Sequence, residues 1–402
     1  MSRPVKALLV NENIGGHATV HHHLRTVAAQ RDDISIRIVE VPPPNLIRKL
    51  AAAPVPLLSR WDADVRPVRY QLAQSAWVAR MLPRWLAEEP ADVVHLYTHN
   101  TGLLAGKALR GTPYVVTLDS TNAQSNLLHP IRPTTRFSAL STPLVTPFER
   151  RLYRGAARVV ANSRWAADSL TGHYGLDPEQ ISTLPMGVPL PAATSTPPGQ
   201  QSASAQSAGA QSTSAQPASG APTLPRVLFI GRSMQRKGGI DLLRAHQRDL
   251  ADRAELVLVT GDDVDAVAAA AGIDRPLRNV TVVGDARPGD GKVDAQLANA
   301  DIMALPSSID QWPNAVMEAM SHGVTPVVSG VGGMPEMVLD GAAGVVLDTV
   351  SEDSISSALT RLLDDPDERR RLGERARRRV QEDLDVTITA NRLLDVIRDA
   401  AG

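Results

Sequence analysis

The sequence predicts an α/β protein of two doubly wound, Rossmann-like domains facing each other across a cleft. Three observations predict it. First, short apolar runs alternate with stretches of helical periodicity, the pattern of parallel sheets covered on both faces. Second, the alternation stops at residues 191–224 and resumes after them. That stretch is Ala, Ser, Gln, Thr, Pro and Gly in the main, with no charged and no aromatic residue. It cannot bury enough apolar surface to offset its conformational entropy and is expected to be a disordered linker. Third, the charge is uneven. Residues 1–190 hold 21 Lys+Arg against 14 Asp+Glu, a net of +7, and the remainder holds 21 against 29, a net of −8. The expected organisation is a first domain over residues 1–190, the linker over 191–224, a second domain over 225–385, and a terminal helix over 386–402 that packs back on the first domain.

The elements follow in order. Residues 5–10 read as a buried strand, followed by a loop with Gly15-Gly16 and a helix through Leu24, Val27 and Ala28. Residues 34–38 alternate with period two, as an edge or half-buried strand does. Residues 92–97, 114–118 and 158–161 are further strands, with helices at 71–89 and 163–171. After the linker, strands are expected at 227–230, 256–259, 280–283, 302–305 and 326–328, with helices at 240–247 and 313–320 among those between them. Residues 366–400 read as two helical stretches, the first Arg-rich; the second carries Leu393, Leu394 and Ile397 at helical spacing and needs a surface to pack on. Two parallel sheets joined this way bring a ligand to their carboxyl edges.

Composition narrows the classes. The chain has 402 residues, enough for two or three domains with ample core, and only 3% aromatics, so Ala, Val and Leu must build that core. The absence of cysteine excludes disulfides, thiol catalysis, iron–sulfur clusters and Cys-ligated zinc. The apolar run near the N-terminus is too short for a secretory signal, and no run approaches a membrane span, so a soluble cytoplasmic protein is expected. The basic first half is compatible with an anionic membrane or acceptor, and equally with a generally Arg-rich surface. Residues 46–61 are apolar and basic but broken by Pro54 and Pro56, so peripheral contact with the inner membrane face stays open.

The strongest chemical signal runs from Phe229 to a pair of glycines, Gly238-Gly239, in a loop that follows a strand and opens a helix. Its glycines, Gly231 among them, let backbone approach a ligand, the helix N-terminus attracts anions, and Arg232 and Lys237 add two cations. This suits a phosphate or diphosphate; a basic surface turn is the alternative. The second signal contains Asp310, Trp312, Pro313 and Glu318. With Pro313 as the first helical residue and Trp312 as cap, the free N–H groups of Asn314 and Ala315 face an anion, and Glu318 lies about 7–8 Å up the helix. Glu318 sits among Val316, Met317, Ala319 and Met320, and an acid buried there needs a partner.

In this order, with Ala300-Asp301, Leu305-Pro306-Ser307, Gly332-Gly333-Met334-Pro335-Glu336, Ala161-Asn162-Ser163 and Pro185-Met186-Gly187-Val188, the chain resembles the retaining nucleotide-sugar glycosyltransferases of family 4, which have the GT-B fold. The resemblance covers nearly everything outside the linker. It implies that Arg232 and Lys237 hold the donor diphosphate, that the amides of Asn314 and Ala315 cradle its oxygens, and that Glu318 binds the ribose hydroxyls. It implies that Asp310 contacts the transferred sugar and that Gly15 and Gly16 line the cleft; His17, beside Gly16, reads as a cleft residue too. It further implies transfer of a hexosyl group to a hydroxyl acceptor (glycan, lipid-linked or small molecule) with retention of configuration and no metal or other cofactor.

Two departures from the family pattern stand out. Asp310 occupies a position that usually carries Glu, and Asp119 one that often carries His. Asp119 could stabilise developing oxocarbenium charge, bind an acceptor hydroxyl, or cap the next helix. A nucleotide-sugar epimerase, a phosphorylase and a catalytically inactive sugar-nucleotide binder remain alternatives. Other chemistries have weaker footing. His17 and His21 share a helical spacing but have no acidic third ligand nearby, so a metal is not expected. Gly15-Gly16 lacks the dinucleotide fingerprint spacing, and no Gly-x-Ser-x-Gly, phosphate-loop Gly-Lys-Ser/Thr or basic–aromatic stripe for nucleic acid occurs.

Overall fold

The computed structural model describes residues 3–12, 17–61, 63, 65–127, 141–191, 224–284, 286 and 291–402. The expected linker lies outside these residues except at its two ends, as do Gly15 and Gly16. The chain divides into two compact units, one of Met1–Gly187 with Val386–Gly402 and one of Val188–Asp385.

In the first unit the strands β1 (Val5–Asn11), β2 (Ile34–Glu40), β3 (Val93–Tyr97), β4 (Tyr114–Leu118), β5 (Arg158–Ala161) and β6 (Ile181–Thr183) form a parallel sheet in the order β2-β1-β3-β4-β5-β6. The helices are α1 (His17–Ala28), α2 (Leu46–Ala52), α3 (Arg66–Glu88), α4 (Asn122–Leu127), α5 (Ser141–Gly155) and α6 (Arg164–Gly172). Helix α3 begins five residues before the expected start at 71. Strand side chains alternate between faces. Leu8, Val10, Leu96 and Val116 therefore pack with α3, α5 and α6 through Val78, Leu82, Leu152 and Leu170. Ala7, Leu9, Val115 and Val160 face the other way, toward Leu24 and Val27 of α1 and the C-terminal helix Val386–Asp399. That helix buries Leu394 and Ile397 completely, which contributes roughly 1.5–3 kcal/mol per side chain. β2 is the sheet edge, and most of its residues are half-buried.

The second unit has β7 (Arg226–Ile230), β8 (Glu255–Val259), β9 (Val280–Val283), β10 (Ile302–Leu305), β11 (Thr325–Ser329) and β12 (Val345–Leu347), again all parallel, in the order β12-β11-β10-β7-β8-β9. Its helices are α7 (Met234–Lys237), α8 (Gly239–Ala245), α9 (Val264–Ala270), α10 (Lys292–Ala298), α11 (Asn314–Ser321), α12 (Met334–Met337), α13 (Glu352–Asp364) and α14 (Pro366–Arg379). Two parallel six-stranded sheets with surrounding helices meet the α/β expectation. The three-residue strands β6 and β12 were not among the expected ones, because runs that short carry no period.

Each sheet winds one way and then the other. The reversal falls between β1 and β3 in the first sheet and between β7 and β10 in the second, and such points open crevices at the carboxyl ends of the strands. Asp301 ties the opposite end of the second reversal shut. Its carboxylate accepts the Arg226 N–H at 2.8 Å, next to Arg369 at 3.5 Å. The carboxyl end is closed by glycine instead. Gly238 has φ 75°, and a Cβ there would lie 1.9 Å from the Pro306 carbonyl oxygen.

Gly238→Ala should therefore lower stability by at least about 2 kcal/mol in urea unfolding. Gly111, with φ 83° and nothing within 4 Å of its would-be Cβ, provides the control. Gly111→Ala should cost only about 1 kcal/mol. Equal losses at the two positions would contradict the close approach.

Candidate active site

The β7 and β10 loops are knitted together in the second unit. After β7, Ser233 caps α7 by accepting the Arg236 N–H, and the Met234 N–H donates to the Asp262 carboxylate at 2.7 Å. The Arg236 carbonyl then accepts from Ser307 Oγ and Ser308 Oγ at 3.2 Å and from the Ser308 N–H at 3.3 Å. The Arg236 guanidinium reaches the Ile309 carbonyl at 3.4 Å. Gly332 from the loop after β11 lies against the Asp310 carbonyl, where a Cβ would come within 2.0 Å.

These contacts bring two of the expected site residues into direct contact. Lys237 Nζ is paired with the Asp310 carboxylate, with the side chains only 15% and 9% exposed. Gly231 is packed beside the Lys237 stem; a Cβ there would be 3.1 Å from Lys237 Cγ. Arg232 differs from Lys237: it is exposed, and its guanidinium has no partner among the described residues. Of the two cations expected to hold the donor, Lys237 is therefore paired and Arg232 is not, among the described residues.

Helix α11 starts one residue later than expected. Pro313 is its cap, with extended backbone (φ −73°, ψ 118°), and Trp312 is buried, donating its Nε1–H to Met317 Sδ at 3.1 Å. Proline fits the cap because its fixed φ is compatible with extended backbone as well as with the first helical turn. The correction keeps Asn314 and Ala315 as the first two helical residues, whose N–H groups have no helical acceptor. One turn on, Glu318 is half-buried, and its carboxylate has no hydrogen bond or ion pair among the described residues. The partner expected for it is missing. Burial, with Asp294 nearby, pushes the Glu318 carboxyl above the usual carboxylate range.

In the first unit Asp119 directly follows β4, half-buried, and accepts only a long bond from Ser120 Oγ at 3.4 Å among the described contacts. It does not cap α4. Thr121 does, with Gln124 reciprocating: the Gln124 N–H donates to Thr121 Oγ1 and the Thr121 N–H to Gln124 Oε1. The turn holding Asp119 is anchored from beneath by Glu149 of α5, fully buried. Glu149 accepts the Tyr153 hydroxyl at 3.0 Å, the Tyr174 hydroxyl, and the Asn122 N–H at 3.2 Å. Burial and this carboxylate push both phenols up. At the reversal of the first sheet, Glu12 is buried and accepts Thr98 Oγ1 at 2.8 Å and Asn100 Nδ2 at 3.2 Å. Neither Glu12 nor Glu149 was anticipated. Glu12 could have been, as an acid closing a buried strand just before Gly15-Gly16; Glu149 gives no local signal. His17 opens α1, while His21 is buried edge-on to Tyr97. Among the described residues no group of three His, Asp or Glu side chains is placed to hold a metal ion.

Comparison with known proteins bears on both units. Residues 14–190 match the family model "Glycosyltransferase Family 4", and residues 213–379 match "Glycosyl transferases group 1". The chain belongs to family 4 of the glycosyltransferases. Similar curated proteins include the alpha-maltose-1-phosphate synthase of Mycolicibacterium smegmatis, 28% identical over 77% of this chain and 79% of that protein. The D-inositol 3-phosphate glycosyltransferase of Corynebacterium kroppenstedtii is 28% identical over 63% of this chain and 55% of that protein. Among solved structures, the sucrose-phosphate synthase of Thermosynechococcus elongatus aligns with a TM-score of 0.68 at 18% identity, covering 99% of both chains. Anabaena HepE in complex with UDP-glucose aligns with a TM-score of 0.63 at 16% identity, over 98% of this chain and 99% of that one. The fold of this glycosyltransferase is GT-B.

The unpartnered Glu318 gives a pH prediction. Its raised folded value means that the native state binds a proton more tightly than the unfolded chain does. Stability therefore falls as pH rises from the unfolded Glu value through the folded one. Glu318→Gln should raise the melting temperature of the ligand-free glycosyltransferase at pH 7, and the gain should vanish below the ordinary Glu range. A loss of stability at pH 7 would mean that the carboxylate has a partner in the free enzyme.

Proposed function

We propose that this glycosyltransferase moves a hexosyl group from a nucleoside diphosphate sugar to a hydroxyl acceptor, with retention of configuration and without a metal. The observation that carries the reading is the Lys237–Asp310 pair, which joins the segments after β7 and β10 where the sheet reverses; Arg232 belongs to the first segment, and Asn314, Ala315 and Glu318, its carboxylate unpartnered among the described residues, to the helix that follows the second. A diphosphate suits the cations and the helix end, and a pair of ribose hydroxyls suits a carboxylate left without donors. The complex of HepE with UDP-glucose is consistent with such a donor.

On this reading the leaving diphosphate gathers negative charge as the glycosidic bond breaks. Arg232, Lys237 and the α11 amides offset that charge, so no metal is required. Lys237 turns from Asp310 to the diphosphate when donor binds, and Asp310 is released to accept a hydroxyl of the transferred sugar. The acceptor hydroxyl attacks on the face the nucleotide leaves, and the departing phosphate oxygen takes its proton. Asp119 is the residue offered for an acceptor hydroxyl, and its turn is held by Glu149. Whether the acceptor is a glycan, a lipid-linked sugar or a small molecule is decided by assay.

The two cations separate in a binding experiment. Arg232→Ala removes a group that is free in the empty site. It should weaken nucleoside diphosphate binding roughly 10- to 150-fold in calorimetry, with melting temperature unchanged. Lys237→Ala should weaken binding by a similar order but also destabilise the fold, because it leaves the buried Asp310 unpaired. Glu318→Gln should weaken the free nucleoside, which Arg232→Ala leaves nearly untouched. Incubation of the parent with UDP-, GDP- and ADP-sugars and a panel of acceptors should release nucleotide only when an acceptor is glycosylated. Donor conversion without acceptor would indicate an epimerase, and donor binding without turnover an inactive relative.

A further inference from the structure

Helix α2 is built inside out. Its one buried residue is Arg48, while Leu46, Ile47 and Leu50 are 72%, 73% and 62% exposed. The exposed apolar surface continues through Val55, Leu57 and Leu58 into the short helix Leu58–Trp61. Leu57 is 68% exposed and held left-handed at φ 69°, a conformation leucine seldom takes. The only apolar residues of α2 that are even half-buried are Ala51 and Ala52, and polar contacts hold the helix to the domain. Arg48 donates to Gln74 Oε1 at 2.9 Å and to the carbonyls of Pro42 and Pro43 at 2.9 and 2.7 Å, and its guanidinium lies 4.9 Å from the Trp77 ring centre. From α3, Arg66 and Arg69 donate to the carbonyls of Ala52 and Ala53, and so hold the other end of α2. Folding alone favours the reverse arrangement, with leucines inward and arginine outward.

We propose that this surface, residues 46–58, rests on an anionic lipid bilayer. Two observations point to lipid headgroups rather than a protein partner. Lys49 and Arg60 are exposed beside the apolar side chains, without partners among the described residues, and residues 41–61 contain no Asp or Glu. An isologous contact between two copies would set this cationic stretch against itself, with the nearest acids in sequence, Glu40 and Asp62, lying outside it. A bilayer interface takes leucines into its acyl boundary and places cations among phosphates, which matches the division seen here. No described helix is long and apolar enough to cross a membrane, so the contact is interfacial. Arg48 anchors the helix from the protein side and leaves its outward face free for lipid.

The test is co-sedimentation of the full chain with vesicles of phosphatidylcholine alone and of phosphatidylcholine with phosphatidylglycerol. The parent should bind the anionic vesicles and be released by salt. Lys49→Gln with Arg60→Gln should bind roughly 30-fold more weakly, as expected for two cations near the surface. Leu46→Ser with Ile47→Ser and Leu50→Ser should lose binding at least tenfold while melting as the parent does, since these side chains are already exposed. Failure of the parent to bind either vesicle, or equal binding by the triple variant, overturns the proposal. A parent dimer that the triple variant dissociates would assign the surface to a second copy and overturn it as well.

Discussion

Lys237 and Asp310 come from two different loops and meet where the second sheet reverses its winding. Much of the candidate site depends on that pair. It is largely buried, so each charge is tolerated only because the other is there. It can form only because Gly238 lets the first loop touch the Pro306 carbonyl and Gly332 lets a third loop touch Asp310. The serines after β10 complete the arrangement by saturating the Arg236 carbonyl. The result is an arrangement in which Lys237 is paired, Arg232 is exposed, and a helix end and a lone carboxylate lie near at hand in sequence.

The first unit follows the same design with different means. Its reversal between β1 and β3 is closed by a buried acid, Glu12, satisfied by Thr98 and Asn100. The next strand end presents Asp119 on a turn fixed by the Thr121–Gln124 capping box and by Glu149. Buried carboxylates that receive several donors make stiff supports, because loss of any one donor leaves an uncompensated charge. Asp119 is the acid in this group with the fewest protein partners among the described residues.

What the sequence made legible was what is written contiguously. The strand runs, the loop from Gly231 to Gly238 and the approach to α11 each lie within about a dozen residues, and each was found. Pairings across long separations were not. Glu12 meets Thr98, 86 residues away, and Glu149 meets Tyr174, 25 residues away; no local spacing encodes either. The Lys237–Asp310 pair was missed for the same reason: both residues were assigned to ligand, and neither assignment foresaw that they neutralise each other across 73 residues. Pro313 misled by one position because proline serves a cap as readily as a first turn. Residues 46–61 read as apolar and basic but broken by prolines, and only the burial of Arg48 decides which way helix α2 faces.

A crystal of the glycosyltransferase soaked in turn with UDP, GDP and ADP tests the central claim most directly. The account predicts that the diphosphate sits against Arg232 and the amides of Asn314 and Ala315. Lys237 should have left Asp310 for a phosphate oxygen, and the ribose should lie on Glu318. A diphosphate bound elsewhere, or bound with the Lys237–Asp310 pair intact, would contradict it.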